Sequence, residues 1–105
     1  MHRPFAFAPL CASSVFVHLV AQAGEISLYT DDNFKGRVVV LRDTTDDLWR
    51  VNFNDAVSSI KVDSDSWEVC TDSQFYGTCE RMGAGRYEVL NAALDKRISS
   101  LRRPY

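Results

Sequence analysis

The sequence predicts an all-β domain built from two packed sheets, and three features of the chain support this fold class. Short runs of alternating or β-branched residues are separated by polar, Asp-rich or Gly-containing turns, which is typical of a sandwich or barrel. Helix signals are weak, and no proline occurs between positions 10 and 103. Residues also recur at a spacing of 41 positions, which indicates two copies of one structural unit.

The first 23 residues are expected to lie outside this domain. Residues 1–3 form a short basic lead, residues 5–20 are largely apolar, and Ala21-Gln22-Ala23 offers a small-x-small cleavage site. This order predicts a secretory signal peptide that is cleaved after Ala23, and therefore a secreted or periplasmic protein. A membrane anchor is the alternative, but the apolar run is short and interrupted by Pro9 and His18.

Cleavage would change the chemical groups that are available. The mature chain would contain 82 residues, no histidine, and two cysteines, Cys70 and Cys79. Fourteen acidic residues would face eleven Lys and Arg, a formal net charge of −3, which does not suggest nucleic acid or a membrane surface as partner. An even cysteine count fits an oxidising compartment, where a disulfide could stabilise a core of this modest size.

Six strands are predicted in chain order, each from a short alternating or β-branched run. They span residues 26–29, 37–41, 57–62, 67–70, 78–82 and 98–102. Residues 46–51 and 87–94 could each hold one short helical turn.

The 41-residue repeat indicates how these strands would share one core. Six pairs are identical under the shift, without a gap: Thr30/Thr71, Asp31/Asp72, Phe34/Phe75, Gly36/Gly77, Ser58/Ser99 and Ser59/Ser100. Apolar character is also kept at inward-facing positions such as Leu28/Val69 and Ile60/Leu101. Because neither copy can bury its apolar face alone, the two are expected to pack as two sheets of one domain.

Each copy opens with the same hairpin motif: an aromatic residue or a substitute, four residues, Phe, one residue, Gly. The motif residues are Tyr29, Phe34 and Gly36 in the first copy and Cys70, Phe75 and Gly77 in the second. The glycine suits a backbone position closed to residues with a Cβ, and the phenylalanine is expected to pack back over the turn. A serine further along each copy could hydrogen-bond to the hairpin backbone.

A second pattern, Asn/Asp-Asn/Asp-x-x-Ser/Thr-Ser, follows each hairpin. Residues 54–59 read Asn-Asp-Ala-Val-Ser-Ser, a full match, and residues 95–100 read Asp-Lys-Arg-Ile-Ser-Ser, a match except at Lys96. With both motifs present twice and in register, the chain resembles the βγ-crystallin family, most of all its single-domain, secreted bacterial members. The resemblance covers about residues 25–103. It implies a Greek-key sandwich of two four-stranded antiparallel sheets within residues 24–105, with one motif at about 25–65 and the next at about 66–104.

The resemblance also implies two calcium sites that are shared between the copies. In the family, the second pattern is the calcium stretch, which corresponds here to residues 54–59 and 95–100. Each site combines a hairpin carbonyl of one copy with a carbonyl and a Ser hydroxyl from the calcium stretch of the other. Carried over, the first predicted site contains Thr30, Arg97 and Ser99, with Asp55 as the charged ligand. The second contains Thr71, Ala56 and Ser58, with Lys96 at the charged position. Because an ammonium cannot ligate Ca²⁺ and repels it, the second site is predicted to be weak or absent.

Other roles for the same residues remain open. Asn, Asp and Ser often cap turns, and Ser59 and Ser100 are expected to be structural. Cys70 stands where the family carries an aromatic residue, and Cys79 corresponds to Val38, opposite Tyr29. A Cys70–Cys79 disulfide would therefore replace an apolar cross-strand pair.

The sequence thus favours a monomeric, secreted calcium-binding module and not an enzyme. The mature chain would lack the histidine of common catalytic arrangements, and its paired Asp residues suit solvated turns. One alternative is a protein-binding module, similar to a small toxin or protease inhibitor. Its candidate contact residues are Trp49 and Phe53, both expected as lids on the core, Tyr76, expected to point outward, and Tyr105. The other is a structural or stress protein that binds little calcium.

Overall fold

The structure is a computed structural model that describes residues 24–103. The predicted leader at residues 1–23 and the candidate contact residue Tyr105 lie outside the described residues. The described strands are β1 (Ile26–Asp31), β2 (Lys35–Leu41), β3 (Ser59–Cys70), β4 (Cys79–Tyr87) and β5 (Ser100–Arg102). Three short 3₁₀ turns are Asp32–Phe34, Leu48–Val51 and Ser73–Phe75.

All strand pairs are antiparallel, in the order β2-β1-β3-β4, with β5 also paired to β3. Residues 59–62 of β3 pair with β1 and the end of β4, whereas residues 66–70 pair with the start of β4 and with β5. The register shifts between Val62 and Ser66, and Asp65 has a left-handed φ of 63° there. Each half of β3 therefore pairs with a different set of strands within one five-stranded sheet, and a bridge between Thr45 and Leu101 adds to the second set.

This architecture confirms the all-β Greek-key prediction. Residues 57–62 and 67–70 were expected as separate strands, but the chain runs through the bend as one strand, β3. The bend is polar, with Asp63, Ser64, Asp65 and Ser66, which is why it resembles a turn in the sequence. The strand predicted at 78–82 extends to Tyr87 as β4, and only residues 100–102 of the strand predicted at 98–102 form β5. The described strands form one five-stranded sheet and not the two four-stranded sheets that were predicted.

The 41-residue repeat is preserved in the strand register. Ile26 faces Leu41 between β1 and β2, and the equivalent Trp67 faces Met82 between β3 and β4. In the same way, Leu28 pairs with Ile60 and Val69 pairs with Leu101. The two copies therefore have the same internal pairing.

The apolar residues of both copies meet in a single core. The strand residues of this apolar cluster with no exposed surface are Ile26, Leu28, Ile60, Trp67, Val69 and Leu101. Full burial of a side chain of this size contributes about 1.5–3 kcal/mol. Residues of both copies belong to one buried cluster, as the repeat predicted.

The turn predicted at residues 46–51 is present as Leu48–Val51. Leu48 is fully buried and Phe53 is 4% exposed, as expected of a core lid, but Trp49 is 69% exposed. The expectation that Trp49 covers the core is therefore wrong. The Asp47 side chain accepts a hydrogen bond from Trp49 N at 3.0 Å, and the tight turn directs Leu48 inward and its neighbour outward.

The turn predicted at residues 87–94 begins later than predicted, since Tyr87 still belongs to β4. The chain turns from Asn91 onward, where the Asn91 side chain accepts from Ala93 N at 3.0 Å and Leu94 N at 3.1 Å. Leu94, only 1% exposed, anchors this turn to the core. Among residues 24–103, no helix is long and apolar enough to cross a membrane.

Candidate metal centres

Two hairpins of the same shape frame the candidate sites. Gly36 and Gly77 have φ values of 81° and 83°, and a Cβ would lie 2.2 Å from Thr30 Oγ1 in one hairpin and 2.4 Å from Thr71 Oγ1 in the other. Only glycine therefore fits without rearrangement. These threonine oxygens accept hydrogen bonds from Arg37 N and Thr78 N, both at 2.9 Å.

The final serine of each calcium stretch holds the hairpin of its own copy. Ser59 Oγ donates to Asp31 O at 2.6 Å and accepts from Phe34 N at 3.0 Å. Ser100 Oγ makes the same two bonds to Asp72 O and Phe75 N, at 2.6 and 3.0 Å. The structural role that the sequence predicted for both serines is confirmed.

Within each calcium stretch, one residue stays with its own copy and another reaches across. Ser58 N donates to Tyr29 O and Ser99 N to Cys70 O, both at 2.9 Å, so each serine lies against its own hairpin. In contrast, Asp55 N donates to Ile98 O at 3.0 Å and Lys96 N to Val57 O at 2.9 Å. The charged position of each stretch therefore lies beside the stretch of the other copy.

Cluster A is the group that contains Asp55. Asp55 Oδ1 accepts a hydrogen bond from Ser99 Oγ at 3.1 Å. Asp55, Thr71 and Arg97 line the same surface depression. We define cluster A as Asp55, Thr71, Arg97 and Ser99, in which Ser99 is 7% exposed and Asp55 faces solvent.

Cluster B is the group that contains Lys96. The Lys96 ammonium donates to Thr30 O, and its nitrogen lies 3.5 Å from Ala56 O. Ser58, 3% exposed, lies against the same hairpin next to Thr30. Cluster B is therefore Thr30, Ala56, Ser58 and Lys96, and each member lies 41 positions from its counterpart in cluster A.

The structure brings together the residues of the two predicted sites in a different grouping, with the hairpin members exchanged. Thr30 was predicted with Asp55 and lies with Lys96, whereas Thr71 was predicted with Lys96 and lies with Asp55. The reason is the pairing of β1 with β3, in which Tyr29 faces Ser59, so that hairpin and serine come from the same copy. The predicted hydrogen bond between a serine and the hairpin of its own copy already indicates that hairpin and serine belong to the same cluster.

The residues of cluster A fit a hard divalent cation. Ca²⁺ takes carboxylate, hydroxyl and carbonyl oxygens, and cluster A offers an Asp carboxylate in contact with a Ser hydroxyl. In cluster B, two backbone carbonyls converge on one cationic group, the Lys96 ammonium. The repeat relates those carbonyls to the ones of Thr71 and Arg97 in cluster A.

A third group of potential ligands, Glu68, Cys70 and Cys79, lies near cluster A in sequence. Cys70 and Cys79 form a disulfide, as predicted, at the β3–β4 pair equivalent to Tyr29 and Val38. The bonded sulfurs are not thiolates and do not offer a metal the ligands it needs. Glu68 pairs with Arg102 at 2.8 Å, and the group is therefore structural.

The same domain occurs in proteins of known structure. A family model described as Beta/Gamma crystallin matches residues 25–103. A beta/gamma-crystallin of Ciona intestinalis is 39% identical over 64 residues, which cover 61% of this chain and 76% of that protein. The solved structure of a Ciona intestinalis beta gamma crystallin has a TM-score of 0.74 at 34% identity, covering 76% of this chain and 99% of that one. A betagamma-crystallin from an archaeon has a TM-score of 0.71 at 31% identity, covering 78% and 99%. The match therefore spans nearly the whole of each of these two solved chains.

Proposed function

The chain belongs to the βγ-crystallin family, and we propose that it is a secreted module in which one Ca²⁺ binds cluster A and stabilises the fold. One observation carries the proposal most directly. Asp55 and Ser99 are in contact at 3.1 Å, in a group whose repeat equivalent already surrounds a cationic side chain. The resemblance of residues 54–59 and 95–100 to the family's calcium stretch supports the same assignment.

Each residue of cluster A has a distinct task in this proposal. Asp55 supplies the negative charge and Ser99 a hydroxyl oxygen, while Thr71 and Arg97 contribute backbone carbonyls. Asp55 comes from the first copy and the other three residues from the second. A bound ion therefore joins the two copies, and it stabilises the folded state in proportion to its occupancy.

Cluster B is not a calcium site in this proposal. Its two carbonyls already contact the Lys96 ammonium, and the cluster has no carboxylate at the charged position. A calcium ion there would have to displace a positive group and would meet its charge at close range. The domain is therefore expected to take up one ion, with a dissociation constant of about 10⁻⁴ to 10⁻³ M, the range of extracellular calcium modules.

Titration calorimetry and thermal unfolding with Ca²⁺ test this proposal on the chain without residues 1–23. Binding of one ion and a rise in Tm are expected for the wild type, and both effects are expected to be lost in Asp55→Ala. Asp63→Ala, which removes an exposed carboxylate at the bend of β3, is the matched control and is expected to bind as the wild type does. Absence of heat and of a Tm shift in the wild type would refute calcium binding.

Export is the second part of the proposal and rests on residues 1–23. The mass of the protein recovered from the periplasm or medium is expected to correspond to a chain that begins at Gly24. A protein that is retained in the cell with its first 23 residues would refute it.

A protein-binding module is a second candidate, which one observation favours. Trp49 and Tyr76 are both 69% exposed, and Gln74 N donates to Asp46 O at 2.7 Å, so the segments that carry them adjoin. Exposed aromatic side chains of this kind are enriched at interfaces. A defined partner that is lost with Trp49→Ala and Tyr76→Ala, but kept with Val89→Ala, would support this function.

A further inference from the structure

We infer that Lys96 is a built-in cation that replaces calcium in cluster B, so that one half of the domain is held together without metal. The inference deepens the proposed function and rests on it in taking the matching point of cluster A as a calcium position. Lys96 would then have an active stabilising role in addition to preventing metal binding. The domain would carry one permanent cation and one exchangeable cation.

The contacts of the Lys96 ammonium support a structural role. It donates to Thr30 O at the end of β1, and it lies 3.5 Å from Ala56 O in the segment that precedes β3. These carbonyls are 66 and 40 positions away from Lys96 in the chain. One side chain of the second copy therefore connects two separate segments of the first, as a metal ion shared between the copies would do.

The two carbonyls favour a hydrogen-bond donor or a cation between them. Carbonyl oxygens that converge on one point carry partial negative charges, and they repel each other unless a donor or a cation lies there. An ammonium has three donor hydrogens and no acceptor, so it can serve both carbonyls at once. In cluster A the equivalent carbonyls have no lysine at the matching position, since Asp55 stands there.

The backbone presents the two charged side chains in the same way. Asp55 and Lys96 have left-handed φ values of 53° and 60°, and each donates its N–H to the opposite stretch, at 3.0 and 2.9 Å. Asp tolerates this conformation better than Lys does, because its short side chain can bond locally. The two clusters therefore share one backbone conformation at this position but carry side chains of opposite charge there. Asp55 can ligate a cation, and Lys96 is itself a cation.

With this arrangement, calcium would stabilise cluster A and not cluster B. Without calcium, cluster B keeps its ammonium, so the first hairpin and residues 54–58 remain joined to the second copy. In cluster A, Arg97 lines the same depression as Asp55, but no ion pair to Asp55 is found among residues 24–103. Added calcium is therefore expected to stabilise the surroundings of Thr71 and Ser99, with little effect around Thr30 and Ser58.

Unfolding in the presence of a chelator tests the role of Lys96 without any bound metal. Lys96→Met keeps an unbranched side chain and removes the charge, and it is expected to lower Tm by about 4–8 °C in a domain of this size. Lys35→Met is the matched control, because it removes the same charge from an exposed lysine at the start of β2. A Lys96→Met protein with a Tm equal to or above that of the wild type would overturn the inference.

Lys96→Asp tests whether the ammonium occupies a metal position. The chelated variant is expected to have a lower Tm than Lys96→Met, because two carbonyls and a carboxylate then converge without a cation. With Ca²⁺ it is expected to bind two ions and to regain at least the Tm of the wild type. Binding of only one ion, where the wild type also binds one, would overturn the substitution of lysine for calcium.

The two proposals fail in different ways. If the wild type binds no calcium, the proposed function fails, and the chelator comparison of wild type, Lys96→Met and Lys35→Met still decides whether Lys96 stabilises the first copy. If the wild type binds one ion but Lys96→Met is fully stable in chelator, the calcium site stands and the built-in cation is refuted.

Discussion

Clusters A and B differ in charge far more than in shape. Their residues correspond one to one under the 41-residue shift, and their backbone hydrogen bonds match at Asp55 N and Lys96 N. In cluster A the charged side chain is a carboxylate in contact with Ser99, whereas in cluster B it is an ammonium in contact with Thr30 O. In our proposal, the residue at this single position decides whether the cluster binds an external cation or contains its own ammonium.

The hairpins next to these clusters differ in a complementary way. The second hairpin, beside the proposed calcium site, is closed by the Cys70–Cys79 disulfide, whereas the first has Tyr29 and Val38 at the same pair. The Tyr29 ring contacts Phe34 edge-on, with centroids 5.6 Å apart. Each hairpin therefore has one link that does not depend on metal: a disulfide at the second and, as we infer, the Lys96 ammonium at the first.

The largest expected effect is that of removing the disulfide. Cys70→Ala with Cys79→Ala is expected to cost about 2–4 kcal/mol of unfolding free energy, in line with disulfides in small domains. Urea unfolding measures this cost, and Cys70→Tyr with Cys79→Val, which recreates the pair of the first copy, is the matched control. Equal stability of the Ala variant and the wild type would show that the second hairpin needs no covalent link.

The next effect tests whether the two copies are structural equals. Ser59→Ala and Ser100→Ala each remove two hydrogen bonds at a fully buried serine and leave a hairpin N–H and C=O without that partner. Each is expected to cost about 2–3 kcal/mol by urea unfolding. Because the bond lengths match, the two costs are expected to agree; a cost confined to one copy would contradict the equivalence.

A smaller effect distinguishes the two clusters. Ser99→Ala removes a proposed calcium ligand and is expected to weaken calcium binding about tenfold, which corresponds to about 1.4 kcal/mol. Ser58→Ala, its repeat equivalent in cluster B, is expected to leave the calcium affinity unchanged. Calorimetric titration of both variants measures the difference, and an equal loss of affinity in the two would remove the distinction between the clusters.

The smallest effect concerns an ion pair found in only one copy. Glu68 and Arg102 pair at 2.8 Å, where the first copy has Ser27 and Lys61. Because their side chains are 30% and 44% exposed, solvent screens the pair, and Glu68→Gln is expected to cost less than about 1 kcal/mol. A loss of several kcal/mol of unfolding free energy, measured by thermal unfolding, would show that this ion pair, and not the clusters, accounts for the difference in stability between the copies.

The fold was predictable because its requirements are local. Gly36 and Gly77 stand where a Cβ would collide, and Ser59 and Ser100 bond to their own hairpins, so each copy carries a complete pattern in its sequence. The side of the Leu48–Val51 turn that faces the core depends on packing instead. For that reason, the sequence did not distinguish the buried Leu48 from the exposed Trp49.

The candidate site was predictable in its residues but not in its grouping. The calcium stretch identified Asp55, Ser58 and Ser99, and also the exception at Lys96. Which hairpin each stretch contacts depends on strand pairing across the domain, and the sites were exchanged at Thr30 and Thr71. The position of the Lys96 ammonium on two carbonyls also depends on tertiary placement, so the sequence indicated repulsion of calcium and not replacement of it.

The number of calcium ions bound by the wild-type domain and by Lys96→Asp tests the comparison most directly. Titration calorimetry on the chain without residues 1–23 is expected to give one ion for the wild type, at cluster A, and two for Lys96→Asp. No ion in the wild type, or two ions despite the lysine, would contradict the assignment of a calcium position to cluster A and a built-in cation to cluster B.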